Sequence, residues 1–95
     1  MSDVINQAVS ALNEKLSGGF DGVAKFVIEG EGAIMVDRDG VREADEDAEV
    51  TLTASADTFQ QILEGELDPT SAFMSGKLTL DGDMGMAMKL GSALS

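Results

Sequence analysis

Two groups of carboxylates in this sequence have a spacing that could support chemistry. Asp81 and Asp83 stand two positions apart, and such a pair could in principle act as a general acid and a general base. The chain contains no histidine and no cysteine, so neither a Ser-His-Asp nor a Cys-His nucleophile can be assembled. Asp83 also lies directly before an apolar segment, which is typical of a helix cap. The sequence therefore predicts no catalytic residue.

The second group consists of Asp37 and Asp39, which are followed by Gly40 as in the start of a calcium-binding loop. An EF-hand loop needs a third early acid before the glycine and a helix on either side, and the pattern here supplies neither. Histidine-ligated zinc is excluded because the chain has no histidine. We expect no metal site, and nothing in the sequence predicts a cofactor.

The charge balance is strongly acidic, with 18 Asp and Glu against 6 Lys and Arg and a formal net charge of −12. A polyanion is repelled by phosphate backbones and by anionic bilayers, so we expect no nucleic-acid partner and no stable membrane insertion. Solubility is the simplest role for this charge, and docking on a basic partner is the alternative. The length of 95 residues is enough for one domain, which we expect to span residues 1–95.

Hydrophobic periodicity predicts helices at both ends of the chain and strands in between. Apolar residues recur at three- and four-residue spacing in the first segment, whereas a period of two marks the next ones. The predicted elements are a helix over 3–17, strands over 20–29, 33–37, 41–43 and 49–54, a helix capped by Asp57 and ending at Gly65, a helix over 68–76, a strand over 77–81 and a helix over 84–94. This order predicts an α+β domain.

The last predicted helix has more apolar surface than one contact with a sheet requires. Its methionine, alanine and leucine side chains sweep roughly 200° at 100° per residue, whereas a helix resting on a sheet needs a stripe of about 100°. Met84, Met86 and Met88 belong to this sweep, and methionine adapts to guests of varied shape. Either the helix is buried on two sides, or one side faces a molecule that is not protein.

Residues 49–90 also contain several short motifs, and their occurrence together in this order is unlikely by chance. The motifs are Ser55-Ala-Asp-Thr-Phe59, Gly65-Glu-Leu-Asp-Pro69, Ser71-Ala-Phe-Met-Ser-Gly-Lys-Leu78 and Asp81-Gly-Asp-Met-Gly-Met-Ala-Met-Lys-Leu90. Together they resemble the sterol carrier protein type 2 family. The resemblance implies a five-stranded sheet with helices packed on one face and an apolar tunnel between sheet and helices. It also implies that the tunnel carries a fatty acid, an acyl-coenzyme A ester, a sterol or an isoprenoid.

Under this resemblance, the candidate lipid-binding residues are the apolar side chains that would line the tunnel. The predicted wall consists of Phe59, Ile62, Leu63, Phe73, Met74, Met84, Met86, Met88, Leu90 and Leu94, and the predicted sheet floor of Phe26, Ile28, Leu78 and Leu80. Lys77 and Lys89 are candidates for neutralising an acidic head group at the tunnel mouth. A solvated surface lysine is the more common case, so that alternative stays open for both.

Three functions are compatible with these patterns. The first is binding and transfer of a lipid-like small molecule, and the second is a non-catalytic accessory protein that presents a hydrophobic substrate to a partner enzyme. The third is an interaction module whose groove takes a peptide helix. The absence of cysteine fits a reducing compartment. No signal peptide, membrane-spanning stretch or peroxisomal C-terminal tripeptide is evident, so we expect a cytoplasmic location.

Overall fold

The computed structural model describes residues 3–16 and 19–94, which form four helices and five strands. In chain order these elements are α1 (Asp3–Lys15), β1 (Ala24–Ile28), β2 (Gly32–Asp37), β3 (Gly40–Glu43), β4 (Val50–Ala54), α2 (Ala56–Leu63), α3 (Pro69–Met74), β5 (Leu78–Gly82) and α4 (Met84–Leu94). The α+β class and the order of the elements predicted from the sequence are confirmed. Ser17, at the end of the helix predicted over 3–17, lies outside the described residues.

The five strands form one mixed sheet in the order β3-β2-β1-β4-β5. β1 and β4 are parallel, with Phe26 opposite Leu52 in register, and the other neighbouring pairs are antiparallel. β3 and β4 follow one another in the chain but lie on opposite sides of the β1–β2 pair. Residues 44–49 must therefore cross the sheet between them.

One face of the sheet forms the core together with the helices. β1 and β4 alternate between buried and partly buried side chains, as expected for strands with one face packed on a core. Phe26 of β1 meets Phe59 of α2 edge to face, with ring centroids 5.4 Å apart. The helices contribute Ile5, Ala8 and Leu12 from α1, Phe59 and Ile62 from α2, Ala72 from α3, and Ala87, Leu90 and Leu94 from α4. The predicted five-stranded sheet with helices on one face is thus confirmed.

The opposite face of the sheet is crossed by the acidic connection between β3 and β4, residues 44–49. Lys25 of β1 points to this face and pairs with Asp45 of the connection, with 2.9 Å between Nζ and Oδ1. Met35 is the register partner of Lys25 on β2 and has no exposed surface. Met35 is therefore buried on the face of the sheet that the connection crosses.

The start of α2 differs from the prediction. Ser55 has an extended backbone and its Oγ accepts a hydrogen bond from the Thr58 amide at 3.2 Å, so Ser55 is the helix cap. The prediction that Asp57 caps this helix is wrong. β4 passes into α2 without a loop, so the residue that leaves the strand is already in the conformation that a cap requires, and Asp57 lies in the first turn.

The start of β1 also differs from the prediction, because the strand begins at Ala24 and not at residue 20. The Phe20 amide donates to the Asp37 carbonyl at 2.9 Å, and the chain then bends at Gly22, whose φ is +146°. The Val23 amide donates to the Glu49 carboxylate at 2.9 Å. These contacts depend on distant residues, so the local alternation could not indicate them.

Candidate functional site

An apolar groove lies between α3, α4 and the β4–β5 side of the sheet, and we refer to it as the α3–α4 groove. Its volume is about 380 Å³, within the range of about 300–1,000 Å³ that small-molecule sites occupy. Six of the residues predicted to bind lipid line it, namely Phe73, Met74, Leu78, Leu80, Met84 and Met88. The structure therefore brings nearly half of the predicted set to one surface.

The α4 wall of the groove is fixed by the way this helix begins. Asp83 Oδ1 accepts a hydrogen bond from the Met86 amide at 3.2 Å, which confirms Asp83 as the cap. From this start, Met84 and Met88 lie one turn apart on the groove side. Leu90 lies on the other side of the helix and is fully buried in the core. The broad apolar sweep of the sequence therefore serves two surfaces, the core and the groove.

The opposite wall comes from the short helix α3. Pro69 occupies its first turn, where a fixed φ and a missing amide hydrogen are tolerated. Phe73 and Met74, at the end of the helix, line the groove. At Gly91 of α4, an added Cβ would lie 3.9 Å from the Cβ of Pro69. The two helices therefore come into ordinary contact distance at this end of the groove.

The rim of the groove exposes large apolar side chains. Phe73 is 40% exposed, Met84 48%, Met88 73% and Met74 80%. Within residues 3–16 and 19–94 these are the large hydrophobic side chains that remain exposed, and every one of them lines this groove. An exposed apolar cluster on an otherwise charged surface marks a contact with another apolar body. This coincidence distinguishes the α3–α4 groove from the other depressions of the surface.

A second apolar cleft of about 260 Å³ lies between α1 and α2. Ile28, Phe59 and Leu63 from the predicted set line it. Two of its other lining residues, Val4 and Ala8, come from α1. The predicted residues are thus divided between two clefts, and a continuous tunnel stays a prediction.

Five members of the predicted set, Met86 and four others, line neither of these clefts. Phe26, Ile62, Leu90 and Leu94 are buried in the core beneath the helices. All four lie outside the lining of the groove. Periodicity identifies a side chain that faces inward, but it does not tell whether packed protein or a cavity lies there.

Met86 and Lys89 lie on a different side of α4, beside the bend at Gly22. Together with Asp21 they line a broad surface depression of about 600 Å³ that is bordered mainly by charged side chains. A Cβ added to Gly22 would lie 2.8 Å from the Met86 Cε, so this side chain packs directly on the bend. Met86 therefore contacts the protein itself and does not extend the wall of the α3–α4 groove.

Lys89 is held by neighbouring groups. Its Nζ donates to the Asp21 carboxylate at 3.0 Å and to the Asp21 carbonyl at 3.2 Å, and lies 5.9 Å from the centre of the Phe20 ring. The hydrogen bond from Arg38, which is the larger cause, and the hydrogen bond from Lys89 lower the pKa of Asp21 below its ordinary value. Lys89 thus ties α4 to the bend before β1, away from the groove.

The charged residues near the groove also differ from the predicted pattern. Lys77 is exposed between α3 and β5 and does not line the groove. The one charged residue in the described lining is Asp68, which precedes α3. Asp68 makes no side-chain hydrogen bond to the helix start. The lining therefore offers a head group one carboxylate and no cation.

Sequence reasoning missed several lining residues, namely Leu52, Asp68, Pro69, Thr70, Ala87, Gly91 and Ser92. Two of them had a usable signal. Leu52 is an inward residue of an alternating strand, and Ala87 lies one turn after Met84 on the same side of α4. Nothing in the sequence indicated that the small polar residues line the groove, because only the position of their helix brings them there.

Within residues 3–16 and 19–94, no three Asp or Glu side chains converge closely enough to hold a metal ion. No helix in this part of the chain is both long and apolar enough to cross a membrane.

The sheet order, the helices on one face and the apolar groove define a class of small α+β domains built around an apolar cleft. The model of one such family, the SCP-2 sterol transfer family, matches residues 4–95, and the chain belongs to this family. The resemblance of residues 49–90 to the sterol carrier protein type 2 family is thereby confirmed.

Known proteins similar to this chain include a longer relative and two solved structures. Hydroxysteroid dehydrogenase-like protein 2 of Danio rerio is 35% identical over 98 residues, which cover 95% of this chain and 24% of that protein. The chain thus spans about a quarter of that relative. Sterol carrier protein 2 of Aedes aegypti in complex with the C16 fatty acid palmitate has a TM-score of 0.80 at 23% identity, covering 100% and 97% of the two chains.

The second structure is sterol carrier protein 2 like 2, also of Aedes aegypti. It has a TM-score of 0.78 at 21% identity and covers 94% of either chain. At these identities the two structures show that the fold is shared.

Proposed function

We propose that this domain binds the apolar chain of a lipid in the α3–α4 groove and carries it between membranes or proteins. The observation that supports this most directly is the position of the large exposed apolar side chains of the described residues, all of which border one groove. Membership of the SCP-2 sterol transfer family and the palmitate complex of the Aedes aegypti relative are consistent with it. The ligand class is a fatty acid, an acyl-coenzyme A ester, a sterol or an isoprenoid.

The driving force for binding is burial of apolar surface. Each buried methylene contributes about 0.8 kcal/mol, so about ten of them contribute about 8 kcal/mol before losses. Immobilising the ligand and ordering the rim side chains offset several kcal/mol of this. Micromolar affinity with little selectivity for chain shape is the expected result, because the flexible thioethers of Met84 and Met88 adapt to different guests.

The charge around the groove bears on which end of a lipid enters it. Asp68 is the charged lining residue, and the whole chain carries a net charge of −12. An anionic head group gains no ion pair in the lining and is repelled by the surrounding field. We therefore expect the apolar end to enter first, and neutral lipids to bind at least as well as anionic ones of the same length.

We also propose that the domain has no catalytic activity of its own. The whole chain lacks histidine and cysteine. Of the carboxylate pair considered from the sequence, Asp83 is engaged as the cap of α4. Asp81 lies on β5, where its register partner is Thr51 of β4. Carriage of an intact lipid is therefore a better match to these residues than a reaction on it.

The second candidate function is presentation of a hydrophobic substrate to a partner enzyme. The observation that favours it is that this chain covers 24% of a relative named as a hydroxysteroid dehydrogenase-like protein. A domain of that kind would hand its ligand to an enzyme and not to a bilayer. Transfer of a fluorescent lipid between vesicles separates the two functions, because a carrier transfers the lipid unaided and a presenting domain transfers little of it.

The direct test is palmitate binding by a groove variant and a matched control on the same helix. Met88→Asp places a carboxylate on the rim, where an apolar chain would have to cover it without hydration, so the affinity for palmitate should fall by about tenfold or more. Ala93→Asp adds the same charge to α4 at an exposed position outside the groove lining. Both affinities are measured by displacement of a fluorescent fatty acid, with folding verified by circular dichroism.

Native mass spectrometry of protein purified without detergent complements this titration. A bound mass of a few hundred daltons that is lost in Met88→Asp and kept in Ala93→Asp would support the proposal. Equal palmitate affinity in the two variants, or failure of the unmodified protein to bind any apolar chain, would contradict it.

A further inference from the structure

The methionines of the described chain divide into two groups by accessibility. Met74 is 80% exposed, Met88 73% and Met84 48%, and all three stand on the rim of the α3–α4 groove. Met35 is 0% exposed on the face of the sheet that the β3–β4 connection crosses, and Met86 is partly buried against the bend at Gly22. The most exposed methionines of the described residues are thus those that a bound chain would touch.

We propose that Met74, Met84 and Met88 form a site of reversible sulfur oxidation by peroxides, and that their oxidation closes the groove to apolar chains. The modification itself depends on accessibility alone, whereas its effect on binding rests on the function proposed above. Methionine is oxidised to its sulfoxide and restored by sulfoxide reductases, so the change is reversible.

The oxidation is balanced with hydrogen peroxide as the oxidant. A lone pair of the thioether sulfur attacks one peroxide oxygen, the O–O bond breaks and an S–O bond forms. The sulfur loses two electrons, the peroxide gains them, and the departing oxygen leaves as water after proton transfer. The products are methionine sulfoxide and one molecule of water, so no metal or further reductant is required in this direction.

The physical effect follows from the polarity of the product. The sulfoxide oxygen is a strong hydrogen-bond acceptor, whereas the thioether is a weak one. An apolar chain that covers the rim would strip water from this oxygen and offer it no donor in return. With up to three such oxygens around one opening, water stays on the rim and the chain is excluded.

The first experiment measures the order of oxidation. The protein is treated with increasing hydrogen peroxide and digested, and the sulfoxide fraction at each methionine is quantified by tandem mass spectrometry, whose fragments separate Met84, Met86 and Met88 within one peptide. Met74 and Met88 should oxidise first, Met84 next, and Met86 and Met35 last. Oxidation of Met35 at the rate of the rim methionines would overturn the site assignment.

The second experiment measures palmitate affinity before and after peroxide treatment. In the wild type, oxidation should weaken binding by about tenfold or more, as expected when an apolar group must cover an unsatisfied acceptor. In the triple variant Met74→Leu, Met84→Leu and Met88→Leu, the ratio of the two affinities should stay near one, whatever the starting affinity. Met86→Leu is the matched control and should remain sensitive to peroxide.

The same binding assay tests whether the oxidation can be reversed and whether the proposal fails. Incubation of the oxidised wild type with methionine sulfoxide reductases and a dithiol should restore its affinity, because the dithiol supplies two electrons and two protons, becomes a disulfide, and the sulfoxide oxygen leaves as water. Binding that survives oxidation of all three rim methionines would overturn the gating role alone. Failure of the untreated protein to bind palmitate or any other apolar chain would overturn the proposed function, and gating with it.

Discussion

Gly82 is the residue that joins the last strand to the helix of the groove. It ends β5 opposite Val50 and has a φ of +109°, a region that L side chains rarely adopt. A Cβ at this position would press against the Glu49 carbonyl oxygen and lie 3.1 Å from the Val50 Cα. The next amide, of Asp83, donates to the same Glu49 carbonyl at 3.0 Å. The start of α4, and with it the groove wall, depends on this close approach.

Gly82→Ala should therefore destabilise the protein more than alanine does at an unobstructed glycine. We expect the free energy of unfolding to fall by about 3 kcal/mol or more, because backbone strain and a backbone clash combine. Gly65→Ala is the control, since Gly65 has a φ of +80° but a Cβ there meets no atom within 4 Å. Its expected loss is about 1 kcal/mol from backbone conformation alone. Urea denaturation measures both, and equal losses would contradict the importance of the contact at Gly82.

At the scale of an element, α4 is one helix with two apolar faces. Leu90 and Leu94 pack into the core, whereas Met84 and Met88 line the groove and stay partly exposed. The helix is short, so its position comes from the core face and from the cap at Asp83. The groove face then contributes little to folding and is available for contacts with a ligand.

This division predicts opposite outcomes for two truncations on the same helix. Leu90→Ala should lower the free energy of unfolding by about 2–5 kcal/mol, because it leaves a cavity in packed surroundings. Met88→Ala should change it by no more than about 0.5 kcal/mol, since the side chain is mostly exposed. Thermal and urea denaturation of the ligand-free proteins check this. A comparable loss in Met88→Ala would mean that the groove is packed shut in solution.

The elements also show what the sequence could and could not predict. The bounds of α4, its cap at Asp83 and the inward faces of β1 and β4 follow from periodicity and turn chemistry, which are local. The assignment of Leu90 to the core and Met84 to the groove does not follow from local patterns, because both belong to the same apolar sweep. Only the position of α3 decides which sector of the helix faces a groove. Ser55 as the cap of α2 was missed for the related reason that strand and helix meet without a loop.

Several sequence predictions concern matters that depend on more than the chain alone. The identity of the lipid, a continuous tunnel and the cytoplasmic location remain predictions. The head-group roles given to Lys77 and Lys89 have no counterpart at the groove, where the charged lining residue is Asp68. A lysine in sequence near an apolar motif does not reveal its ionic partner, and for Lys89 that partner is Asp21, 68 positions away.

At the scale of the whole molecule, the excess of negative charge acts on every ligand that approaches. The principal extents are 30 × 29 × 22 Å. At about 0.01 M salt the screening length is about 30 Å, so a ligand at the groove feels the charge of the entire molecule. At about 0.15 M it is about 8 Å, and only the nearest groups count. Salt should therefore separate ligands by their own charge.

We predict that laurate binding strengthens with salt relative to 1-dodecanol, which has the same chain length and no charge. Between about 0.01 and 0.15 M NaCl, the ratio of the laurate to the dodecanol dissociation constant should fall by about two- to threefold as repulsion is screened. The ratio cancels the general effect of salt on apolar burial. Competitive displacement of a fluorescent probe measures both constants, and a rising ratio would indicate that a cation, and not Asp68, meets the head group.

The parallel pairing of β1 with β4 has a consequence for the order in which the molecule folds. β1, β2 and β3 are neighbours in sequence and form a meander, whereas the bond between the Val23 amide and the Glu49 carboxylate joins residues 26 positions apart. Such a pairing has to close a long loop before its contacts stabilise it, which slows this step relative to the local hairpins. Every residue that lines the α3–α4 groove lies after this point, between Leu52 and Ser92. The lining of the groove therefore belongs to the half of the chain that this slower pairing joins to the β1–β3 meander.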